Sequence, residues 1–155
     1  MGIGVKFFIC SVGDPEKDYD EENLERIIEK KAFILHKDTK RKGAYSQIQS
    51  GDILLLKFKK RLIGYGRTTG IDTLDLPYWN LAARVEKWVF KEENAPEVGI
   101  SYEGMNQELL NGGQYDTVKE ITGNFAMEKI KQIDSTSELY QDLQAGIEIP
   151  TSDDT

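Results

Sequence analysis

The sequence has one cysteine, one histidine, and no apolar run near the roughly 20 residues that a membrane-spanning helix requires. A single cysteine excludes an intrachain disulfide, and one histidine with one cysteine is too few for the usual zinc sites. The motifs of serine hydrolases, zinc proteases, P-loop proteins and dinucleotide-binding domains do not occur. Residues 1–10 lack the length and flanks of a secretion signal. We therefore expect a cytoplasmic binding module and not an enzyme, with no cofactor, no metal and no membrane contact.

The chain length fits one folded domain. With 155 residues, 39% of them hydrophobic and 30% charged, the composition is that of a globular protein and excludes disorder throughout. We expect a single domain over residues 1–145 and a polar tail or linker over 146–155. Whether the chain is a full protein or a domain of a longer one stays open, as does its oligomeric state.

Charge is distributed unevenly along the chain. The net charge is −7, yet the segment from Arg26 to Arg67 holds 12 basic residues against three acidic ones, a local net of +9. The remaining residues carry a net of −16. This uneven distribution of charge predicts one surface that is suited to an anion, since phosphate binding depends on clustered lysine and arginine. A solvated charged surface without a partner is the alternative.

The hydrophobic pattern indicates an order of strands and helices. It predicts strands at 5–12, 32–35, 53–58, 62–68, 84–91 and 117–121, a helix at 20–31, a helical turn at 45–48, a helix at 124–133 capped by Asn124, and another helical turn or two within 135–144. The two strands at 53–58 and 62–68 form a hairpin around Lys59, Lys60 and Arg61. Gly64 and Gly66 lie on one face of its second strand, where they allow close backbone approach. Cys10 and Trp88 are predicted core residues.

Several segments in this order resemble a known family. KFFICSVGD, AFILHKD, QSGDILLLKFKKRLIGYGR, YWNLAARVEKWVFKEE and GMNQELLNGGQYDTVKEITGNFAMEKIKQI resemble successive parts of the YTH and EVE branch of the PUA-like superfamily, over about four fifths of the chain. The resemblance implies an α+β fold, a PUA-like half-open β-barrel of about 5–6 strands flanked by 2–4 helices.

The same resemblance implies a domain that recognises modified bases. YTH domains hold N6-methyladenine in RNA, and EVE-like modules include the DNA-binding part of McrB-type restriction systems. We therefore expect a nucleic-acid-binding module that holds a methylated base, flipped or single-stranded, in an aromatic cage. It would be the targeting domain of a modification-dependent restriction or defence system with an ATPase or nuclease partner. DNA or RNA as the target, and the modification, stay open.

The resemblance also assigns site residues. The two aromatic walls fall at Leu35 or His36 and at Tyr78 or Trp79, although the family has a tryptophan at the first position. The predicted base-binding residues are Ser11, Asp14, Leu35, His36, Tyr78, Trp79, Asn106, Gln114 and Tyr115. The predicted phosphate-binding residues are Lys37, Lys40, Arg41, Lys42, Lys59, Lys60, Arg61 and Arg67.

Two other functions are compatible with the sequence. The first is a small hydrolase or ribonuclease similar to the ASCH members of the same superfamily, in which a lysine and a carboxylate act together. Lys57 and Glu86 would be that pair. The second is a domain that binds a small ligand or another protein through the acidic remainder of the chain.

Overall fold

The computed structural model describes residues 5–12, 20–39, 42–58, 61–101 and 117–148. They form eight strands, three α-helices and a short 3-10 helix at Tyr45–Gln47. The strands are β1 (Phe7–Ser11), β2 (Ala32–Leu35), β3 (Ile53–Phe58), β4 (Arg61–Thr73), β5 (Leu81–Val85), β6 (Val89–Phe90), β7 (Ile100–Ser101) and β8 (Val118–Ile121), and the helices are α1 (Asp20–Lys30), α2 (Gly123–Ile133) and α3 (Glu138–Glu148). No described helix is long and apolar enough to cross a membrane.

The strands form one open sheet in the order β2-β5-β4-β3-β1-β8, with β6 and β7 added beside β4. The pair β1 and β3 is parallel, and the other strand pairs are antiparallel. The long strand β4 pairs with β3 over its first half and with β5 over its second half. The predicted α+β class and its half-open arrangement are therefore confirmed, with β2 and β8 as the two edges of the described sheet.

An irregularity at Thr68 and Gly70 separates the two halves of β4. The Thr68 hydroxyl donates to the carbonyl of Arg84 at 2.6 Å and accepts the Gly70 N–H at 3.0 Å. Gly70 has a φ of 121°, a conformation that glycine adopts without a steric penalty. This bulge lets one strand join two parts of the sheet.

Alternation along β1 places its side chains in two separate cores. Phe8 and Cys10 pack with α1 and β2, whereas Phe7 and Ile9 pack with α2 and α3. Burial raises the pKa of the Cys10 thiol, which therefore stays protonated and reactive chemistry there is disfavoured. The prediction that Cys10 is a core residue is confirmed.

The predicted strand over 84–91 is wrong. It is two strands, β5 and β6, separated by a bend at residues 86–88 that turns the Trp88 indole inward. Trp88 is 6% exposed, and its Nε1–H donates to the Ile27 carbonyl at 3.1 Å. A buried indole needs such a partner, and a regular strand would not provide it. The prediction that Trp88 belongs to the core is confirmed.

The carboxy-terminal helices differ from the sequence prediction in the cap of α2 and in the length of α3. The cap of α2 is Thr122 and not Asn124, because Thr122 has extended backbone angles and its hydroxyl accepts the N–H of Phe125 at 3.4 Å. The predicted extra turns are a full helix, α3, which continues through Glu148 and thus three residues into the segment predicted as a tail.

Replacing Thr122 with alanine tests this cap. We expect the free energy of unfolding to fall by about 1 kcal/mol, since the alanine leaves a first-turn N–H of α2 without its acceptor. Urea denaturation measures the change, and Thr122→Ser should restore most of the loss. A Thr122→Ala protein as stable as the parent would contradict the assignment of the cap.

Candidate functional site

Three aromatic side chains from two distant segments meet at one end of the sheet. His36 directly follows β2, and Tyr78 and Trp79 lie in the loop of residues 74–80 that joins β4 to β5. Because Leu35 pairs with Leu81 in the β2–β5 ladder, the end of β2 lies beside the end of this loop. The Lys37 N–H then donates to the Tyr78 carbonyl at 2.8 Å and fixes the two segments together.

We call His36, Tyr78 and Trp79 the ring cluster. The His36 and Tyr78 rings are nearly parallel, with an interplanar angle of 11° and centroids 6.0 Å apart. Trp79 meets His36 edge to face at 89°, with centroids 5.1 Å apart. Trp79 packs partly against the core, whereas Tyr78 is 58% exposed. Trp79 is thus the ring that anchors the cluster in the core, and Tyr78 is the ring that is open to solvent.

The His36 ring has a defined hydrogen-bonding state. Its Nδ1 accepts the backbone N–H of Asp38 at 3.0 Å, so in this arrangement Nδ1 carries no proton. The proton of the neutral imidazole is then on Nε2, which is a donor. The cluster therefore combines ring faces for stacking with one N–H group for an acceptor on a ligand.

The loop that carries Tyr78 and Trp79 is held by hydrogen bonds at its base. The Leu74 N–H donates to the Asn80 carbonyl at 2.8 Å, and the Asn80 side-chain amide donates to the Leu76 carbonyl at 3.3 Å. Leu74 is buried, and Leu76 packs against the same core as Trp79. These contacts hold the loop together at its base, and rotation of the exposed Tyr78 side chain would not break them.

Sequence reasoning missed two further residues of this site. The Arg26 guanidinium lies over the Trp79 ring, with its Cζ 5.3 Å from the ring centroid. The Arg26 Nη1 donates to Asn23 Oδ1 at 3.2 Å, and Asn23 Nδ2 donates to the Ile34 carbonyl at 3.1 Å. Asn23 is fully buried, which is unusual for an amide in an amphipathic helix. An asparagine on the apolar face of α1, three residues before an arginine, was the available signal.

The structure separates two predicted base-binding residues from the cluster. Leu35 is 3% exposed and belongs to the core, so of the two residues predicted for the first wall only His36 lies in the ring cluster. Ser11 shares the strand face of Phe7 and Ile9, which α2 and α3 cover, because side chains alternate along β1. Its hydroxyl is therefore directed to the face opposite the core on which Trp79 packs. Asp14, Asn106, Gln114 and Tyr115 lie outside the described residues.

The predicted phosphate-binding residues do not form one surface in the described part of the chain. Lys37 and Lys42 belong to the loop that starts at His36; Lys37 Nζ lies 3.4 Å from Asp38 Oδ1, and Lys42 Nζ donates to the Thr39 carbonyl at 2.8 Å. Arg67 lies six residues before the end of β4, about 20 Å along the strand from the loop of residues 74–80 at the usual rise per residue.

Arg61 lies still farther away, at the start of β4, where its Nη1 donates to the Gly99 carbonyl at 3.1 Å. Among the described residues, the cations beside the rings are therefore a smaller group than the predicted basic face. Lys40, Arg41, Lys59 and Lys60 lie outside the described residues.

Arg84 is a cation near the loop whose charge is already balanced. Its Nε donates to Asp72 Oδ2 at 2.6 Å, and this contact lowers the pKa of the Asp72 carboxyl. Asp72 therefore stays ionised, and the pair contributes little net charge to the ring cluster.

The lysine–carboxylate pair of the hydrolase alternative is not brought together by the backbone. Lys57 pairs with Leu62 of β4, whereas the Glu86 N–H donates to the carbonyl of Arg67. Five residues of an extended strand separate these two points by about 17 Å. Glu86 instead lines a cleft of about 450 Å³ between β6 and the start of α3, together with Arg67, Phe90 and Leu139.

Comparison with known proteins gives a likeness in fold. No protein-family model and no curated protein matches the sequence. Among solved structures, the MmI1 YTH domain superposes with a TM-score of 0.50 and 14% identity, over 83% of this chain and 94% of that one. The protein Atu2648 from Agrobacterium tumefaciens gives a TM-score of 0.47 and 10% identity, over 84% of this chain and 94% of that one. The chain is therefore similar in fold to a YTH domain.

Proposed function

We propose that this protein binds nucleic acid by stacking one unpaired base within the ring cluster. The observation that carries the proposal is the near-parallel placement of His36 and Tyr78, at 11° and 6.0 Å, beside an edge-on Trp79. Parallel rings on two segments are suited to a flat heterocycle, since every base has two π faces. The likeness in fold to a YTH domain supports the same proposal.

Binding requires a small movement of the rings. A base between two rings needs their planes about 7 Å apart, twice the contact distance of about 3.5 Å. The His36 and Tyr78 centroids are 6.0 Å apart, so the separation of their nearly parallel planes is no more than about 6 Å, and the planes must move apart by at least about 1 Å. Tyr78 is the exposed ring, and rotation of its side chain opens the gap without disturbing the hydrogen-bonded loop backbone. Trp79 then contacts the edge of the base.

The polar groups around the rings fit such a ligand. The Nε2–H of His36 can donate to an acceptor on the base or sugar, and the cations Arg26 and Lys37 lie beside the cluster on two different segments. Phosphate contacts position a nucleic acid without selecting its sequence. The base must be unstacked, so we propose a single-stranded or flipped nucleotide.

We further propose that the preferred base carries a methyl group, with N6-methyladenine as the candidate that the family resemblance gives. Aromatic walls favour an added methyl because its burial is worth about 0.8 kcal/mol, a preference of about fourfold. On the same resemblance, we propose the module as a targeting domain of a restriction or defence system whose ATPase or nuclease is supplied elsewhere. His36 in place of a tryptophan gives a smaller wall and hence weaker stacking.

The two tryptophans allow a direct test. Trp88→Phe leaves Trp79 in the ring cluster as the sole indole, and Trp79→Phe leaves the buried Trp88. We expect single-stranded oligonucleotides to quench the emission of the Trp88→Phe protein saturably and to leave that of the Trp79→Phe protein unchanged. Oligonucleotides with one N6-methyladenine should bind about fourfold more tightly than unmodified ones. DNA and RNA versions of each oligonucleotide identify the polymer.

Two results would contradict the proposal. The first is an unchanged Trp79 emission in a Trp88→Phe protein whose circular dichroism shows it to be folded. The second is equal quenching of Trp88 and Trp79, which would indicate a general surface effect and not a stacked base.

A further inference from the structure

Arg26 differs from the other described cations near the ring cluster in what holds it. Its Nη1 is bound by the Asn23 amide oxygen at 3.2 Å, and its guanidinium lies over Trp79. Asn23 is 0% exposed and is itself fixed by its bond to the Ile34 carbonyl. The arginine is therefore oriented by a buried amide and a ring, and this orientation exists before any ligand binds.

The N–H donors of Arg26 that its contact with Asn23 leaves over are suited to an anion. Lys37 lies beside Asp38, and Arg84 beside Asp72, so both have a carboxylate close by. Within the described part of the chain, Arg26 has no carboxylate at ion-pair distance. A guanidinium has five N–H donors, and the bond to Asn23 uses one of them. Donors remain that suit the oxygens of one phosphate group in bidentate geometry.

We propose that Arg26 binds the backbone phosphate next to the stacked nucleotide, and that Asn23 positions it for this contact. The inference rests on the proposed function and makes it more specific. Arg26 thereby replaces Arg61 and Arg67, which lie far along β4, as the arginine of the phosphate site. Because its guanidinium also covers one face of Trp79, it leaves the gap between His36 and Tyr78 as the place for the base.

The dependence of binding on salt tests a phosphate contact directly. For a single-stranded oligonucleotide, each phosphate contact adds about 0.7 to the slope of log affinity against log salt concentration. We expect Arg26→Gln to reduce the steepness of this slope by about 0.7 and to weaken binding at least about tenfold at low salt. Lys131→Gln, a control that removes one positive charge from the last turn of α2 on the opposite side of the sheet, should leave both the slope and the affinity unchanged.

Conservative substitution separates the charge from the packing on Trp79. Arg26→Lys should keep most of the salt slope, because it keeps the charge, but should still weaken binding, because an ammonium lacks the planar fork. If Arg26 acted only by packing on Trp79, Arg26→Gln would lower the affinity and leave the slope as in the parent. That result would overturn the inference.

The source of the phosphate is tested with modified ligands. An oligonucleotide with a neutral methylphosphonate linkage next to the preferred base should bind the parent more weakly and the Arg26→Gln protein with no additional loss. Inorganic phosphate should leave Trp79 emission in the Trp88→Phe protein unchanged; quenching by inorganic phosphate alone would indicate a free-anion site and would overturn the inference.

The outcome for Arg26 is distinguishable from the outcome for the proposed function. If Tyr78→Ala weakens oligonucleotide binding as expected while Arg26→Gln retains the parent's salt slope, base stacking stands and the Arg26 contact is wrong. If no oligonucleotide changes Trp79 emission or binds the parent protein, both the proposed function and this inference are wrong.

Discussion

Replacing Tyr78 with alanine is expected to weaken the binding of a single-stranded oligonucleotide by about 5- to 150-fold. The range follows from a stacked base, which gains about 1–3 kcal/mol from an aromatic ring. Tyr78 is 58% exposed, so its loss should change the free energy of unfolding by no more than about 0.5 kcal/mol. Fluorescence anisotropy of a labelled oligonucleotide measures the affinity, and urea denaturation measures the stability.

A control and a second variant sharpen this prediction. Phe125→Ala removes a partly exposed aromatic ring from α2, on the opposite side of the sheet, and should leave the affinity unchanged. His36→Ala should weaken binding as Tyr78→Ala does. In the double variant the two losses should not add, because one base contacts both rings. Parent-like affinity of Tyr78→Ala would show that no base lies between His36 and Tyr78.

That His36, Tyr78 and Trp79 lie together could be predicted from the sequence only through the family resemblance. Nothing local in AFILHKD or in the segment around Tyr78 and Trp79 indicates that they touch, since the contact depends on β2 pairing with β5. Strand alternation, in contrast, is a local property. Together with continuous apolar runs, it indicated where β1, β2 and β3 lie, but it could not say which of the two cores a given face covers.

The predicted basic face stays a prediction, since four of its eight residues lie outside the described part of the chain, but the described ones are spread apart. Basic residues that are close in sequence were expected to share one face, yet β4 extends about 3.4 Å per residue and carries Arg61 and Arg67 away from the rings. Arg26 was counted in the same basic segment but not assigned to the site. Its position over Trp79 is a contact between a helix and a distant loop, which no periodicity in either segment encodes.

The break between β5 and β6 at Trp88 also could not be predicted from the local sequence pattern. The alternating pattern of residues 84–91 is that of a regular strand, whereas in the structure the chain bends at 86–88 and the Trp88 indole N–H donates to the Ile27 carbonyl in α1. Gly66 allows this packing, since a methyl group there would lie 2.7 Å from the Lys87 carbonyl oxygen and 3.1 Å from the Trp88 ring. Gly64 and Gly66, which were predicted to permit close backbone approach, therefore leave the room that β6 and Trp88 occupy.

Gly64 is a position at which a single added methyl group should clearly destabilise the fold. A Cβ at Gly64 would lie 2.6 Å from the Val89 carbonyl oxygen and 2.8 Å from Phe90 Cδ1. Because β6 pairs with β4 at this point, the clash is with backbone and cannot be relieved by rotation of a side chain alone. We expect Gly64→Ala to lower the free energy of unfolding by about 1–3 kcal/mol, measured by urea denaturation.

The matched control for Gly64→Ala has the opposite expected sign. Gly146 lies in α3 with nothing within 4 Å of an added Cβ, so Gly146→Ala should raise the free energy of unfolding by up to about 1 kcal/mol through helix propensity. A Gly64→Ala protein as stable as the parent, beside a stabilised Gly146→Ala protein, would show that β6 does not lie against β4. Loss of β6 from β4 would also release the segment that holds Trp88, so Gly64→Ala should increase quenching of Trp88 by acrylamide in a Trp79→Phe background.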